Sequence, residues 1–397
     1  MAVVDVARQA PRLPPVWLAS STVAAAIAVG FGVARWVDHF KADPNAEDFR
    51  VWIVASRVGI AHGWNHLYDF DLQKAASAGL GPVGSLVDAR HLYVSPPPAA
   101  WLVVPLTPLP VWAAYLIWTV VCLAAFVGVG WLVCPGPRLT RLTLILVSLA
   151  LWPVHYQFWL GQWVVETLVL LAVSWWFLDH GRWVPAGVLL ALAFGAKPQL
   201  ADLVPVALLV SGRWRPVAAF AVTCAVLAAV SAISLGSSGL SAWFQAVTLA
   251  RNDPQSSPLA YSYVFGRDWL ATGIEGAFGA AALVLAWYRR ERLDLVFALG
   301  IVGTTASATY LHEDDMAILV LAAWIVLRSA PSLPQRIWLL VGVAVAQLLA
   351  IGLAVPMLLW EPVWIVLLGA EPWFTRHRVV ESAPVRFTSS SGSSAAR

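Results

Sequence analysis

Apolar runs of about twenty residues recur along this chain from Val16 to the neighbourhood of Ala370, and a run of that length is what one helix needs to cross the hydrocarbon core of a bilayer. Water cannot be the main solvent of such a chain. Of its 397 residues 60% are hydrophobic and 12% charged, against about 25% charged in a soluble domain. Lipid offers no partner to a bare peptide group, so each run must satisfy its own amides as a helix. The sequence therefore predicts an all-α polytopic membrane protein of about ten to twelve passes. The spans are expected at about 16–37, 111–134, 140–158, 163–179, 183–211, 216–235, 274–288, 293–310, 315–328 and 336–355. The first exceeds the core of a signal peptide and is read as a retained span.

Two segments break the pattern. Residues 96–109 are apolar but short and contain Pro96, Pro97, Pro98, Pro105 and Pro108, while 183–211 is long but interrupted by Lys197 and Pro198. Apolar pieces broken by proline read as re-entrant or half-spanning helices, which lipid tolerates where the freed backbone is buried in protein or lines a cavity.

Charge separates the connecting segments into two faces. Arg138 and Arg141, Arg182, Arg213 and Arg215, Arg289, Arg290 and Arg292, Arg328 and Arg336, together with Arg8, Arg12 and the arginines beyond Thr375, fall on one side. An excess of arginine marks the cytoplasmic face. The acids concentrate opposite, in the loop 38–95, in the loop 236–273 and in Glu313, Asp314 and Asp315. Chemistry is accordingly expected on the outer face of the plasma membrane. A net charge of +3 is too small to call for a nucleic-acid partner. Cys122, Cys134 and Cys224 lie in or beside apolar runs without ligand spacing, so neither a disulfide framework nor a zinc site is expected. No internal repeat is visible, which weighs against an inverted-repeat transporter. Residues 1–375 read as one transmembrane unit, and the basic, Ser-rich stretch 376–397 as a disordered tail. Most of the 23 tryptophans suit interfacial belts, and Trp52, Trp64 and Trp243, on the outer side, are candidates for stacking on a sugar face.

The first outer loop reads NAEDFRVWIVASRVGIAHG from Asn45. Asn45 suits an N-cap, Glu47 and Asp48 the first turn of a helix, and Gly63 its end. Phe49, Trp52, Ile53 and Leu67 would then be available to pack on the membrane surface. The two acids serve equally as plain helix-start residues on a solvated face. Asp48 has a further property, because it sits just past the first span, where a substrate carried on a lipid tail must be met. Displacing a phosphate from an activated sugar needs one general base for the acceptor hydroxyl and cations for the departing phosphate.

Five segments in order, EDFRVWIVASRVGIAHGWNHLYD at 47–69, SPPPAAWLVVPLTPLP at 95–110, GQWVVETLVLL at 161–171, AGVLLALAFGAKPQL at 186–200 and ATYLHEDD at 308–315, resemble glycosyltransferase family 87. These are membrane enzymes of the GT-C fold that use polyprenyl-phosphate sugars, among them a mycobacterial mannosyltransferase of phosphatidylinositol mannoside synthesis. The resemblance implies a GT-C bundle, a polyprenyl-phosphate hexose donor, most often mannose, a glycolipid or glycan acceptor and no cofactor. It also implies that Asp48 is the catalytic base, that Lys197 faces the donor phosphate, and that His312 binds the phosphate or orients the acceptor.

Read from the residues alone, a lysine between apolar runs costs about 2.5–3.5 kcal/mol to insert and marks a pathway or site unless it snorkels to the surface. A histidine opening a helix is by itself a cap or loop residue as readily as a ligand. Arg50 and Arg57 are further candidates for the phosphate, and Gln162, Glu166, Pro97 and Trp52 for lining the substrate. Gln162 and Glu166 stand four apart, expected on one helical face, where a structural pairing is as good a reading as a functional one. Three consecutive acids point in different directions on a helix, so 313–315 is not expected to hold a metal. Val164 stands where the family usually has asparagine, and the Tyr-Pro-Pro element is stretched to Tyr93, Val94, Ser95, Pro96, Pro97. Both departures bear on substrate identity. The alternative from another class is a transporter or flippase, with Lys197, Glu166 and Asp202 lining a path.

Overall fold

The computed structural model describes residues 15–80, 93–252, 259–266 and 269–380. Among the described residues the regular structure is entirely helical. Arg8 and Arg12, residues 81–92 of the outer loop and the tail beyond Val380 lie outside them.

The chain opens with α1 (Pro15–Ala42), which meets the bundle along one seam, Thr22 on Thr143 at 2.6 Å, and leaves much of its apolar surface outward. Three shorter helices follow before the next long one, α2 (Glu47–His62), α3 (Phe70–Ser77) and α4 (Pro97–Val103). Then come α5 (Val111–Val133), α6 (Arg138–Leu149), α7 (Trp152–Leu160), α8 (Val164–Asp179), α9 (Trp183–Ala196), α10 (Leu203–Val210) and α11 (Trp214–Asn252). The remainder is α12 (Tyr261–Phe265), α13 (Trp269–Tyr288), α14 (Leu293–Ser307), α15 (Leu319–Arg328), α16 (Leu333–Leu348) and α17 (Val355–Val380). Helix α17 carries regular backbone five residues into the stretch expected to be disordered from 376.

Among the described residues five helices are long and apolar enough to cross a membrane alone, or six if α6 and α7 count as one broken span. The expected ten to twelve passes are not ten to twelve full-length helices, and the reason lies in the breakers. The run 140–158 is two helices bent by 60°, with Pro153 at the start of the second, where its missing N–H and its ring forbid continuation. The run 183–211 ends its first helix at Lys197, turns through Pro198–Leu200 and restarts as α10. Helix α11 bends at Gly236, whose φ of 62° and ψ of −173° only glycine adopts without strain.

Helix α14 is buried at every position from Leu295 to Ala306, as a helix apolar on all sides should be. Small residues let its neighbours close in. A Cβ on Gly300 would meet Val204 Cα of α10 at 2.9 Å, and one on Gly303 would meet Ala282 Cβ of α13 at 2.6 Å. A second, smaller core lies under the segment that follows α1, formed by Phe49, Trp52, Ile53, Leu67, Tyr68, Tyr93, Tyr115 and Trp163. The apolar face of α2 is therefore spent inside the protein rather than on the membrane surface. Nor does Asn45 cap α2. The residue before the helix is Ala46, at φ 49°, while Asn45 Nδ2 donates to the Leu80 carbonyl at 2.5 Å. Gly63, at φ 98°, ends the helix as expected.

Candidate active site

Asp48 lies in the first turn of α2, immediately beyond α1, half-buried. Its Oδ2 accepts a hydrogen bond of 2.7 Å from Gln162 Nε2. The other end of the same amide, Oε1, accepts from Lys197 Nζ at 3.3 Å. One glutamine side chain thus connects the acid at the start of α2 to the lysine at the break between α9 and α10. Lys197 in turn donates to Asp314 Oδ2 at 3.2 Å and is ion-paired with Asp315 Oδ1. Both aspartates are fully buried.

Local backbone explains how the pieces meet. Gly161 takes the left-handed conformation, φ 73°, and turns the chain sharply between α7 and α8. A Cβ there would strike Phe49 Cβ at 2.6 Å, so the turn sits directly against α2. Gln162 consequently precedes α8 instead of lying on it, and the expectation that Gln162 and Glu166 share a helical face fails for that reason. Glu166 accepts a contact of 2.5 Å from Cys122 Sγ of α5. On the far side, the tight turn Asp314–Ile318 aims two successive carboxylates at one ammonium. An ammonium carries three donors on a flexible stem and can serve acids that diverge along the backbone. Acids that diverge along the backbone thus share one cation, the lysine ammonium.

The neighbours complete the polar group. Asp315 Oδ2 accepts from the His312 backbone N–H at 2.8 Å, and the His312 ring stands edge-on to Tyr310 at 4.9 Å. Glu313 turns the other way and accepts from Trp152 Nε1 at 2.7 Å. The phenol of Tyr156 lies in the field of Asp314, Glu313, Asp48 and Glu47. The Asp48 carboxyl is pushed up to about 6, first by burial, then by the charges of Asp314 and Glu47. The Gln162 hydrogen bond and His312 pull the other way.

The remaining candidates are placed elsewhere. Arg50 is buried on Asp43, Nη1 to Oδ2 at 3.1 Å. Arg57 donates to the carbonyls of Thr107 and Leu109 at 3.1 and 2.7 Å, closing the end of the α4 segment. Trp52 is 6% exposed against Trp163, with ring centroids 4.5 Å apart. Trp243 donates to the Val94 carbonyl at 3.0 Å, and Trp64 stands edge-on to Trp101. Pro97 is the first residue of α4, the position where its missing N–H costs nothing. The Tyr93 hydroxyl fastens this stretched proline element, donating to the Pro96 carbonyl at 2.6 Å and accepting from the Ala100 N–H at 3.0 Å.

An acid beyond the first apolar helix, an amide relay and a lysine at a proline break meet here, the acid 114 positions from the amide and the amide 35 from the lysine. Comparison with known proteins gives the chain a family. No curated protein and no solved structure matches the chain. The family model described as Glycosyltransferase family 87 matches residues 93–311, which hold Gln162 and Lys197 and end beside His312. With that match over more than half its length, the chain belongs to glycosyltransferase family 87 and is a membrane enzyme that transfers a sugar.

Proposed function

We propose that this enzyme moves a hexose, mannose by the family resemblance, from a polyprenyl-phosphate donor to a hydroxyl of a lipid or glycan acceptor. It does so on the outer face of the cytoplasmic membrane, by an inverting displacement. The observation that carries the reading is the position of Asp48, past the first span and joined through one amide to Lys197. In the reaction the acceptor oxygen attacks the anomeric carbon as its proton passes to Asp48. The bond from that carbon to the phosphate oxygen breaks, and its electron pair leaves on the phosphate.

A carboxyl raised to about 6 is ionised near neutral pH yet is a stronger base than an ordinary aspartate, which suits it to this transfer. Lys197 sits between two aspartates and carries no surplus charge. Its role in this reading is to hold Gln162, and through it the Asp48 carboxylate. His312 is near enough to act on the Asp48 carboxyl, and in this reading it serves the departing phosphate or orients the acceptor. Basic loops on the opposite face support the orientation. Lys197 is closed off by three partners, an arrangement suited to positioning a side chain and not to passing a solute.

The test is Asp48→Asn in membrane vesicles supplied with labelled polyprenyl-phosphate mannose and an extract of native lipid acceptors. Loss of a general base predicts a rate lower by about 10²–10⁴. Undiminished transfer would remove Asp48 from the chemistry.

A further inference from the structure

The donor proposed above ends in an anion, and the cations singled out by the sequence are committed elsewhere: Arg50 to Asp43, Arg57 to two carbonyls and Lys197 to Asp314 and Asp315. A different cation stands uncommitted beside the site. Arg35 of α1 lies over two indole rings of α7, its Cζ 5.4 Å from the centroid of Trp152 and 5.0 Å from that of Trp159. Among the described residues no carboxylate pairs with it. The nearest acid along α1, Asp38, is on Lys41 at 3.4 Å.

Two helical faces build the place. Gly32, Arg35 and His39 are spaced i, i+3, i+7 on α1, and Trp152, His155 and Trp159 are spaced the same way on α7. The faces meet closely because a Cβ on Gly32 would already lie 3.2 Å from His155 Nδ1. His39 stacks on Trp159 at 4.9 Å with an angle of 8° between planes, and His155 stands edge-on to it at 5.1 Å. Three ring nitrogens here, His39 Nε2, His155 Nε2 and Trp159 Nε1, are buried without a hydrogen-bond partner. Buried polar groups are nearly always satisfied, and an indole N–H with two imidazole nitrogens that can each carry the proton, beside a guanidinium with no carboxylate partner among the described residues, describe a binding site for an acceptor-rich anion.

Depth selects which anion. No charged residue occurs between Val16 and Ala34, and that stretch is about 28 Å of helix, close to the thickness of the hydrocarbon core. Arg35 is the first charge beyond it and faces outward from the bundle. It therefore stands where a lipid's phosphate stands. With its Cζ over indole rings and no carboxylate pairing with it among the described residues, the guanidinium has N–H groups left to fork onto phosphate oxygens. The seam also leads toward the acid through its contacts: Trp152 donates to Glu313, and Tyr156, stacked on Trp152 at 5.1 Å, lies in the field of Asp48.

We infer that the seam between α1 and α7 holds the phosphate of the lipid-linked donor, with Arg35 as its counter-charge and His39, His155 and Trp159 as hydrogen-bond donors. This rests on the donor reading above. The tail stays in lipid along the exposed flank of α1 while the sugar extends past Tyr156 to Asp48. As the glycosidic bond breaks, the phosphate gains a second negative charge, and a permanently charged guanidinium meets it.

The test measures binding of radiolabelled polyprenyl-phosphate mannose to the full-length enzyme in phosphatidylcholine nanodiscs, apart from turnover. Asp48→Asn binds like the unaltered enzyme, whereas Arg35→Gln binds roughly 10- to 100-fold more weakly, the worth of a charge-assisted contact. Arg35→Lys falls between them. Trp159→Phe keeps a ring under Arg35 but removes one N–H, and weakens binding roughly 2- to 10-fold. Excess phosphatidylglycerol does not displace the ligand. Unchanged binding in both Arg35→Gln and Trp159→Phe would overturn the inference while leaving the donor reading intact. Equal displacement by phosphatidylglycerol would overturn it too, by making Arg35 a general anchor for anionic lipid. Failure of the unaltered enzyme to bind the donor would instead remove the donor reading, and this inference with it.

Discussion

Replacing Gln162 by Leu removes the amide between Asp48 and Lys197 at nearly constant volume. The hydrogen bond it donates to the Asp48 carboxylate, 2.7 Å long, favours the ionised form, so its loss raises the carboxyl further above its starting value of about 6. A hydrogen bond to a charged group is worth about 1.5–3 kcal/mol, and about 1.4 kcal/mol corresponds to one pH unit. The acid limb of the rate profile should therefore move from a half-point near 6 to about 7–8. At pH 6 the ionised fraction falls from about a half to about 1–10%, which slows transfer roughly 5- to 50-fold. At pH 9 the variant recovers most of its rate. The assay is the initial rate of mannose transfer in vesicles between pH 5 and 9 at saturating donor. A variant slowed equally at every pH, with its half-point still near 6, would refute the claim that Gln162 tunes the base.

Three further outcomes follow from the same contacts. Asp48→Asn should be inactive yet melt higher than the unaltered enzyme above pH 6. A carboxyl raised by burial costs stability once it ionises, so the gain should vanish as the pH falls well below 6 and be absent if Asp48 carries no buried charge. Lys197→Met strands two buried aspartates and should cost about 3–5 kcal/mol in the unfolding of detergent-solubilised protein. Lys197→Met with Asp315→Asn should recover part of that loss, and strictly additive losses would show that the pair is not coupled. Gly32→Leu drives a side chain into His155, and should raise KM for the donor several-fold without moving the pH half-point.

Much of the site could be read from residue order because its members stand at breaks. Asp48 follows the end of an apolar run, and Lys197 precedes a proline inside one, and both positions announce themselves by interrupting a pattern. The bundle was legible for the same reason, although its pass count was not. Length along the sequence does not show that Pro153 bends one run by 60° or that Lys197 and Pro198 leave another as two short helices. What stayed hidden depended on backbone direction. Helical phasing does not reach Gln162, because the left-handed Gly161 places it in the turn before α8. The divergence of neighbours on a helix counts directions from the backbone and misses that Asp314 and Asp315 share the reach of one lysine. Arg35 carries no signal of its own in the sequence. Its significance lies in α7, more than a hundred residues away, where two indole rings lie by it and, among the described residues, no carboxylate pairs with it.

The pairing of Lys197 with Asp314 has a consequence for biosynthesis. The two are 117 positions apart, so at about 5–20 residues per second the lysine leaves the ribosome roughly 6–23 s before its counter-ions exist. Through that interval the segment around Ala196 must enter the translocon with an unneutralised ammonium, at a penalty of about 2.5–3.5 kcal/mol. Settling of the segment between α9 and α10 therefore waits for the C-terminal third of the polypeptide, and nascent chains released before His312 stay catalytically silent.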